Sequence, residues 1–222
     1  MHIPDGFISP STYLSATAAA VPLLLVAFHK TKAAMNDESF AFLSSLTAFS
    51  FVIMMFNIPI PGGTSGHAIG AAILAILFGP WVAAFCLSLT LFIQALVFGD
   101  GGLSVFAVNA LAMGFAASFS AYWVHALLKR RINNSIALFL SGWTGIVAAS
   151  VIIAVVLGIQ PLLGVDSAGH PIYFPFGLEV TIPAVVGSHL LFFGAVEGFA
   201  TMLVVRFIEK ITLNNALKEV TA

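Results

Sequence analysis

The chain has 222 residues, 60% of them hydrophobic and 8% charged, and carries a net charge of -1. A soluble globular domain has about 25% charged residues, so too little polar surface is available here for a water-soluble fold, and a mean hydropathy of +1.07 agrees. The near-neutral charge gives no basis for nucleic-acid binding, and the single cysteine, Cys86, excludes both a disulfide within one chain and a cysteine-based zinc cluster.

The chain opens MHIPDGFISP. A secretory signal would start with a basic stretch, but Lys30 is the first basic residue and Asp5 stands near the start. Met1 and His2 together form a chelator. The Met1 α-amine and the main-chain nitrogen of His2 close a five-membered ring on an ion. That nitrogen and the imidazole Nδ1 close a six-membered ring. Three nitrogens then share a plane once the amide has lost its proton. Ni(II) and Cu(II) favour square-planar nitrogen donors, whereas zinc prefers a tetrahedron. One equatorial position stays open for another imidazole. Pro4 pushes Ile3 toward an extended backbone. Ile3 and Phe7 are apolar anchors that a solvated tail would waste.

A helix needs about 20 apolar residues to cross a membrane. The predicted spans are Ser11–Phe28, Phe40–Asn57, Trp81–Phe98, Val105–Leu128, Ser135–Leu157 and Pro183–Phe207. A seventh stretch, Ala68–Phe78, covers about 16 Å. It is either a short crossing or the first part of a helix kinked at Gly79-Pro80. The basic residues decide between these. They fall in three groups: Lys30 and Lys32; Lys129, Arg130 and Arg131; Arg206, Lys210 and Lys218. The positive-inside rule puts all three in the cytoplasm, which requires an even number of crossings between the first two. The expectation is an all-α integral membrane protein with seven transmembrane helices, the N-terminus outside and the C-terminus cytoplasmic. Residues 1–222 then form a single transmembrane substrate-binding domain, with residues 1–10 an extracellular metal-binding segment.

The outer loop from Asn57 to His67 reads NIPIPGGTSGH. Residues 59–67 carry His67 to the start of the short third helix, where its imidazole could supply the fourth nitrogen. Pro59 and Pro61 stiffen the loop, and Gly62, Gly63 and Gly66 allow close backbone approach. Asn57, Thr64 and Ser65 could orient His67, as metal-binding histidines require. Thr64 or Ser65 could equally cap the helix. In the last span, His189 reads as a bundle histidine that could approach the site. Glu197, mid-helix, is an intramembrane carboxylate and so a functional candidate, with Asn109 or Gln94 as candidate partners.

MHIPDGF at the start, IPGGTSGH before the third helix and AILFGPW at its end resemble the NikM/CbiM family. These are the nickel and cobalt substrate-binding (S) components of energy-coupling-factor (ECF) transporters. The likeness covers essentially the whole chain. It implies metal capture by the Met1 amine, His2 and His67. It also implies assembly with a transmembrane coupling subunit, cytoplasmic ATPase subunits and a small accessory membrane subunit in a prokaryotic plasma membrane. No enzymatic activity or cofactor is expected: the chain has no GxxxxGK[ST] phosphate loop and no HExxH pair. Thr64-Ser65-Gly66 looks like the nickel branch, the cobalt branch having a loop nearer GSCSH. Ni(II) is therefore the expected cargo, with Co(II) the alternative. A self-sufficient proton-coupled transporter using Glu197 and His189 is the competing class.

Overall fold

The computed structural model describes residues 1–60 and 64–221, with side chains as far as residue 212. Pro61, Gly62, Gly63, the side chain of Lys218 and the terminal Ala222 lie outside the described residues. Among the described residues, six helices are long and apolar enough to cross a membrane: α1 (Pro10–Ala34), α2 (Asp37–Met54), α4 (Pro80–Phe98), α5 (Phe106–Leu128), α6 (Asn134–Leu162) and α7 (Leu178–Thr212). The helical path of α7 continues to Thr221. Between α2 and α4 lie two short strands, β1 (Ile58–Ile60) and β2 (Thr64–Gly66), and a short helix, α3 (Ala71–Phe78).

Helix starts follow local chemistry. The Ser9 side chain accepts from the Thr12 N–H at the head of α1, and Pro10 occupies the first turn, where its missing N–H costs nothing. Asn36 caps α2 in the same way through the Ser39 N–H.

Three features depart from expectation. The chain is not wholly α: β1 and β2 pair antiparallel, with Ile58 opposite Gly66 and Ile60 opposite Thr64. β-Branched Ile and Thr favour strands, and a two-stranded ribbon has only edges, which tolerate Pro59. Second, His67 does not begin a helix. Residues 67–70 are non-helical, and α3 starts after Gly70, whose φ of 71° is left-handed. A side chain at Gly70 would also collide with the Ser50 hydroxyl, so two constraints select glycine there. Third, α7 begins at Leu178, not Pro183. Pro183 sits in a π turn (Ile182–Val186), where the helix widens to accommodate the missing donor.

The short α3 is the centre of the bundle. It packs against α2, α4, α5, α6 and α7, and Ala71, Ala72, Ile73, Leu74 and Ala75 are all buried. Its small alanines let neighbouring backbones approach closely. Gly79, at φ 89°, reverses the chain so that α4 lies beside α3 instead of continuing it.

The two ends of the bundle differ in chemistry. At one end the Gly102 N–H donates to the Ile3 carbonyl (2.9 Å) and the Phe174 N–H to the Phe7 carbonyl (3.0 Å). There too the Asn57 amide donates to Asp100 (2.9 Å). Basic residues gather at the other end. Lys30 Nζ lies 5.6 Å over the Trp81 ring at the start of α4, and Arg206 Nε donates to Ser135 Oγ (3.0 Å) at the start of α6.

Candidate metal centre

The first nine residues are fastened into the end of the bundle by side chains of distant helices. Asn109 of α5 pairs with both main-chain groups of Ile3, accepting its N–H at 3.0 Å and donating to its carbonyl at 3.1 Å. This occupies Asn109, so it is not the partner of Glu197. Gln94, the other candidate, instead donates weakly to the Phe51 carbonyl at 3.4 Å. The Asp5 carboxylate accepts the N–H groups of Leu103 (3.1 Å) and Ser104 (2.9 Å). Gln160 accepts the Ser9 N–H at 2.8 Å. Phe7 packs against Phe174 with ring centroids 5.4 Å apart.

Met1, His2 and His67 are thereby brought together and sealed, with relative exposures of 0%, 6% and 1%. The imidazoles of His2 and His67 stack with centroids 4.7 Å apart and planes 20° from parallel. A chain of polar contacts runs around them. The Met1 amine donates to the Ser65 carbonyl and lies 3.4 Å from Ser65 Oγ. Ser65 Oγ donates to Asn57 Oδ1 (3.0 Å), and Asn57 Nδ2 donates to Asp100 Oδ2 (2.9 Å). Asp100 Oδ1 closes the circuit 3.0 Å from His2 Nδ1, at ion-pair distance but off the direction of a hydrogen bond. His67 Nδ1 is held by the Ala68 carbonyl at 3.0 Å, which leaves its buried Nε2 without a partner.

Thr64 and His189 stand differently. Thr64 Oγ1 is buried without a hydrogen bond, and neither Thr64 nor Ser65 caps α3. His189 Nδ1 is tied to the Val185 carbonyl (2.7 Å) and its Nε2 is unpartnered. Its ring lies near enough to His67 for a charge on one to oppose a charge on the other.

Burial sets the electrostatics. It pushes the Met1 amine down from 8.0 to about 5, against the pull of Asp100. It lowers His2 below the usual imidazole range despite the same carboxylate, and His67 well below. Partial burial would raise Asp100, but His2, Asn57 and the amine outweigh it and hold that carboxyl below its usual range. At neutral pH the site therefore presents uncharged nitrogens beside one carboxylate. Among the described residues no three His, Cys, Asp or Glu side chains are grouped to hold a metal ion on their own.

Asp100 is the residue that sequence reasoning passed over. Its setting, a turn of three glycines (Gly99, Gly101, Gly102), marks a backbone shaped for close approach.

Among the described residues, helices of membrane length with buried nitrogens and an acid at one end give the chain the build of an integral membrane protein. The chain belongs to the CbiM family: the family's model, described as a cobalt uptake substrate-specific transmembrane region, matches residues 2–214. It is 41% identical over 215 residues to the fused nickel transport protein NikMN of Rhodobacter capsulatus, covering 95% of this chain. It is 30% identical over 191 residues to the cobalt transport protein CbiM of Sorangium cellulosum, covering 80% of this chain and 85% of the relative. The chain spans 62% of the Rhodobacter protein's length and 66% of a second fused nickel transport relative, from Lactiplantibacillus plantarum. A crystal structure of a transition metal transporter matches with a TM-score of 0.94 at 44% identity, covering 100% of this chain and 98% of that one. The family and these relatives are metal transport proteins, not enzymes.

Proposed function

We propose that the chain captures one nickel ion outside the cell, as the S component of an ATP-driven ECF transporter in a prokaryotic plasma membrane. Residues 1–222 act as one substrate-binding domain in this reading. A transmembrane coupling subunit, cytoplasmic ATPases and a small accessory membrane subunit supply the rest. The observation that carries it is the joint burial of the Met1 amine, His2 and His67 as uncharged nitrogen donors. The amine, the main-chain nitrogen of His2 and His2 Nδ1 take three corners of a square, and His67 Nε2 takes the fourth. A neutral amine keeps two hydrogens, one engaged by the Ser65 carbonyl, so its lone pair is free for the ion. Asp100 releases His2 Nδ1 to the ion and stays beside it as a counter-charge. Asn57 and Ser65 hold the amine and Asp100 in register, and His189 and Thr64 border the site.

Cobalt is the second reading, favoured by the family's description and by the Sorangium relative. The planar nitrogen set and the Irving–Williams order both favour nickel. Calorimetric titration with nickel and with cobalt, in buffers of different ionisation enthalpy, tests the choice. Nickel should bind one ion per chain, more tightly than cobalt. At neutral pH it should release about one proton per ion, the one lost by the amide. The amine adds no second proton there because its folded pKa is about 5. As pH falls through that value, protons claim the amine and affinity should drop more steeply. Release of about two protons at neutral pH would indicate a charged amine and contradict this site. Tighter cobalt binding would select the second reading.

We further propose seven crossings with the N-terminus outside. The path of α3 and α4, out from the metal end and back to it, supports an even count between Lys30 and Lys129. In a Cys86→Ser background, an impermeant thiol reagent applied outside should reach a cysteine at position 166 and miss cysteines at 30, 129 and 206. Labelling at 129 would overturn the topology.

A further inference from the structure

The last helix reaches into the loop that carries His67. Glu197 projects from α7 with 1% exposure and forms no salt bridge among the described residues. Its Oε2 accepts the main-chain N–H groups of Ile69 (2.8 Å) and Gly70 (3.2 Å). These donors precede α3, whose N-cap residue is Gly70 and offers no capping side chain. A Ser or Asp at that position would ordinarily cap from local sequence, but the left-handed backbone and the Ser50 hydroxyl require glycine. A carboxylate from another helix does the work instead. One turn earlier on α7, the Phe193 ring fills the space over Gly66 and packs against His189, centroids 4.9 Å apart. One helix thus holds the chain on both sides of His67.

A carboxylate without a basic partner is expensive inside a membrane and calls for a specific role. We propose that Glu197 is a positioning residue for the metal site: by holding the N–H groups of Ile69 and Gly70, it aims His67 Nε2 at the Met1–His2 chelate. The idea rests on His67 being a ligand. It also ties the His67 loop to the helix whose far end carries Arg206.

The test uses the full chain in detergent, with Glu197→Ala and Glu197→Gln made alone and in combination with His67→Ala. Folding is checked by gel filtration and thermal melting. Nickel chloride is titrated, and affinity and the visible d–d absorption are read. Glu197→Ala should weaken nickel about 10- to 100-fold, the range for losing a group that orients a ligand. It should shift the absorption toward that of His67→Ala. In the His67→Ala background it should add nothing, because it acts through that imidazole. Glu197→Gln keeps an acceptor oxygen and should retain the parental spectrum. A folded Glu197→Ala chain with parental affinity and spectrum would overturn the proposal, as would an equal loss with and without His67. If the alanine chain does not fold, Glu197→Leu, which fills the space but offers no acceptor oxygen, replaces it in the same cycle: weaker binding only when His67 is present supports the proposal, and any other pattern overturns it. If His67→Ala itself binds like the parent, the ligand role of His67 falls together with this proposal. Parental behaviour of Glu197→Ala alone would remove only the latter.

Discussion

Adding a single residue ahead of Met1 should weaken nickel binding by more than about 100-fold, beyond what losing a supporting partner costs, although no side chain is removed. Two independent effects act together. Chemically, the addition turns a primary amine into an amide and moves the free terminus, so the five- and six-membered chelate pair no longer combines an amine with a histidine at the second position. Sterically, Met1 is fully buried and its nitrogen abuts Ser65, so an extra residue must push the segment out of its seat. A tag following Ala222 should leave affinity unchanged. Calorimetry of the parent, the N-extended and the C-tagged chains at neutral pH makes the comparison. Equal affinity in all three would eliminate the terminal chelate. Acetylating the amine without lengthening the chain by a residue separates the two effects: it removes the donor with little added bulk.

Replacing His2 or His67 by Ala should each cost nickel affinity at least about 100-fold, or about 3 kcal/mol, without unfolding the bundle. The two losses should not be equal. His2→Ala removes an imidazole from the chelate itself and leaves Asp100 without its neighbour. His67→Ala leaves the three-nitrogen chelate in place with water able to fill the fourth corner, so it should be the milder change. A ligand that binds only the folded state raises the melting temperature by an amount that grows with the logarithm of its affinity. Nickel should therefore raise the melting point of the parent strongly, of His67→Ala weakly and of His2→Ala least, while the ion-free melts stay close together. Parental stabilisation by nickel in either variant would remove that histidine from the donor set.

The parts of this architecture that could be read from sequence are those in which local covalent chemistry or charge speaks directly. The proposed chelate rests on bonds within two residues, and the burial of Met1 and His2 together is what the structure adds. Six spans follow from uninterrupted apolar length, and the reversal at Gly79-Pro80 from the placement of lysines and arginines. What escaped was tertiary. Asn57 meets Asp100 across 43 positions, Ile3 meets Asn109 across 106, and Ile69 meets Glu197 across 128; no periodicity encodes such pairs. A polar residue within an apolar span announces that it needs a partner but not which one, and for Asn109 and Glu197 the partner is main chain. The hairpin escaped because each strand has only three residues, too short for an alternating pattern to emerge.

The fastening of the N-terminal segment also fixes an order of events during biosynthesis. Residues 1–9 depend on Asn109, Gln160 and Phe174 for their hydrogen bonds, and those partners leave the ribosome long after the segment itself. Ser65, Leu103, Ser104 and Asn109 are available to the segment once α5 has emerged, but its seat is completed only when Gln160 and Phe174 follow. In the finished fold Met1 is fully buried, so the mature protein should resist aminopeptidases.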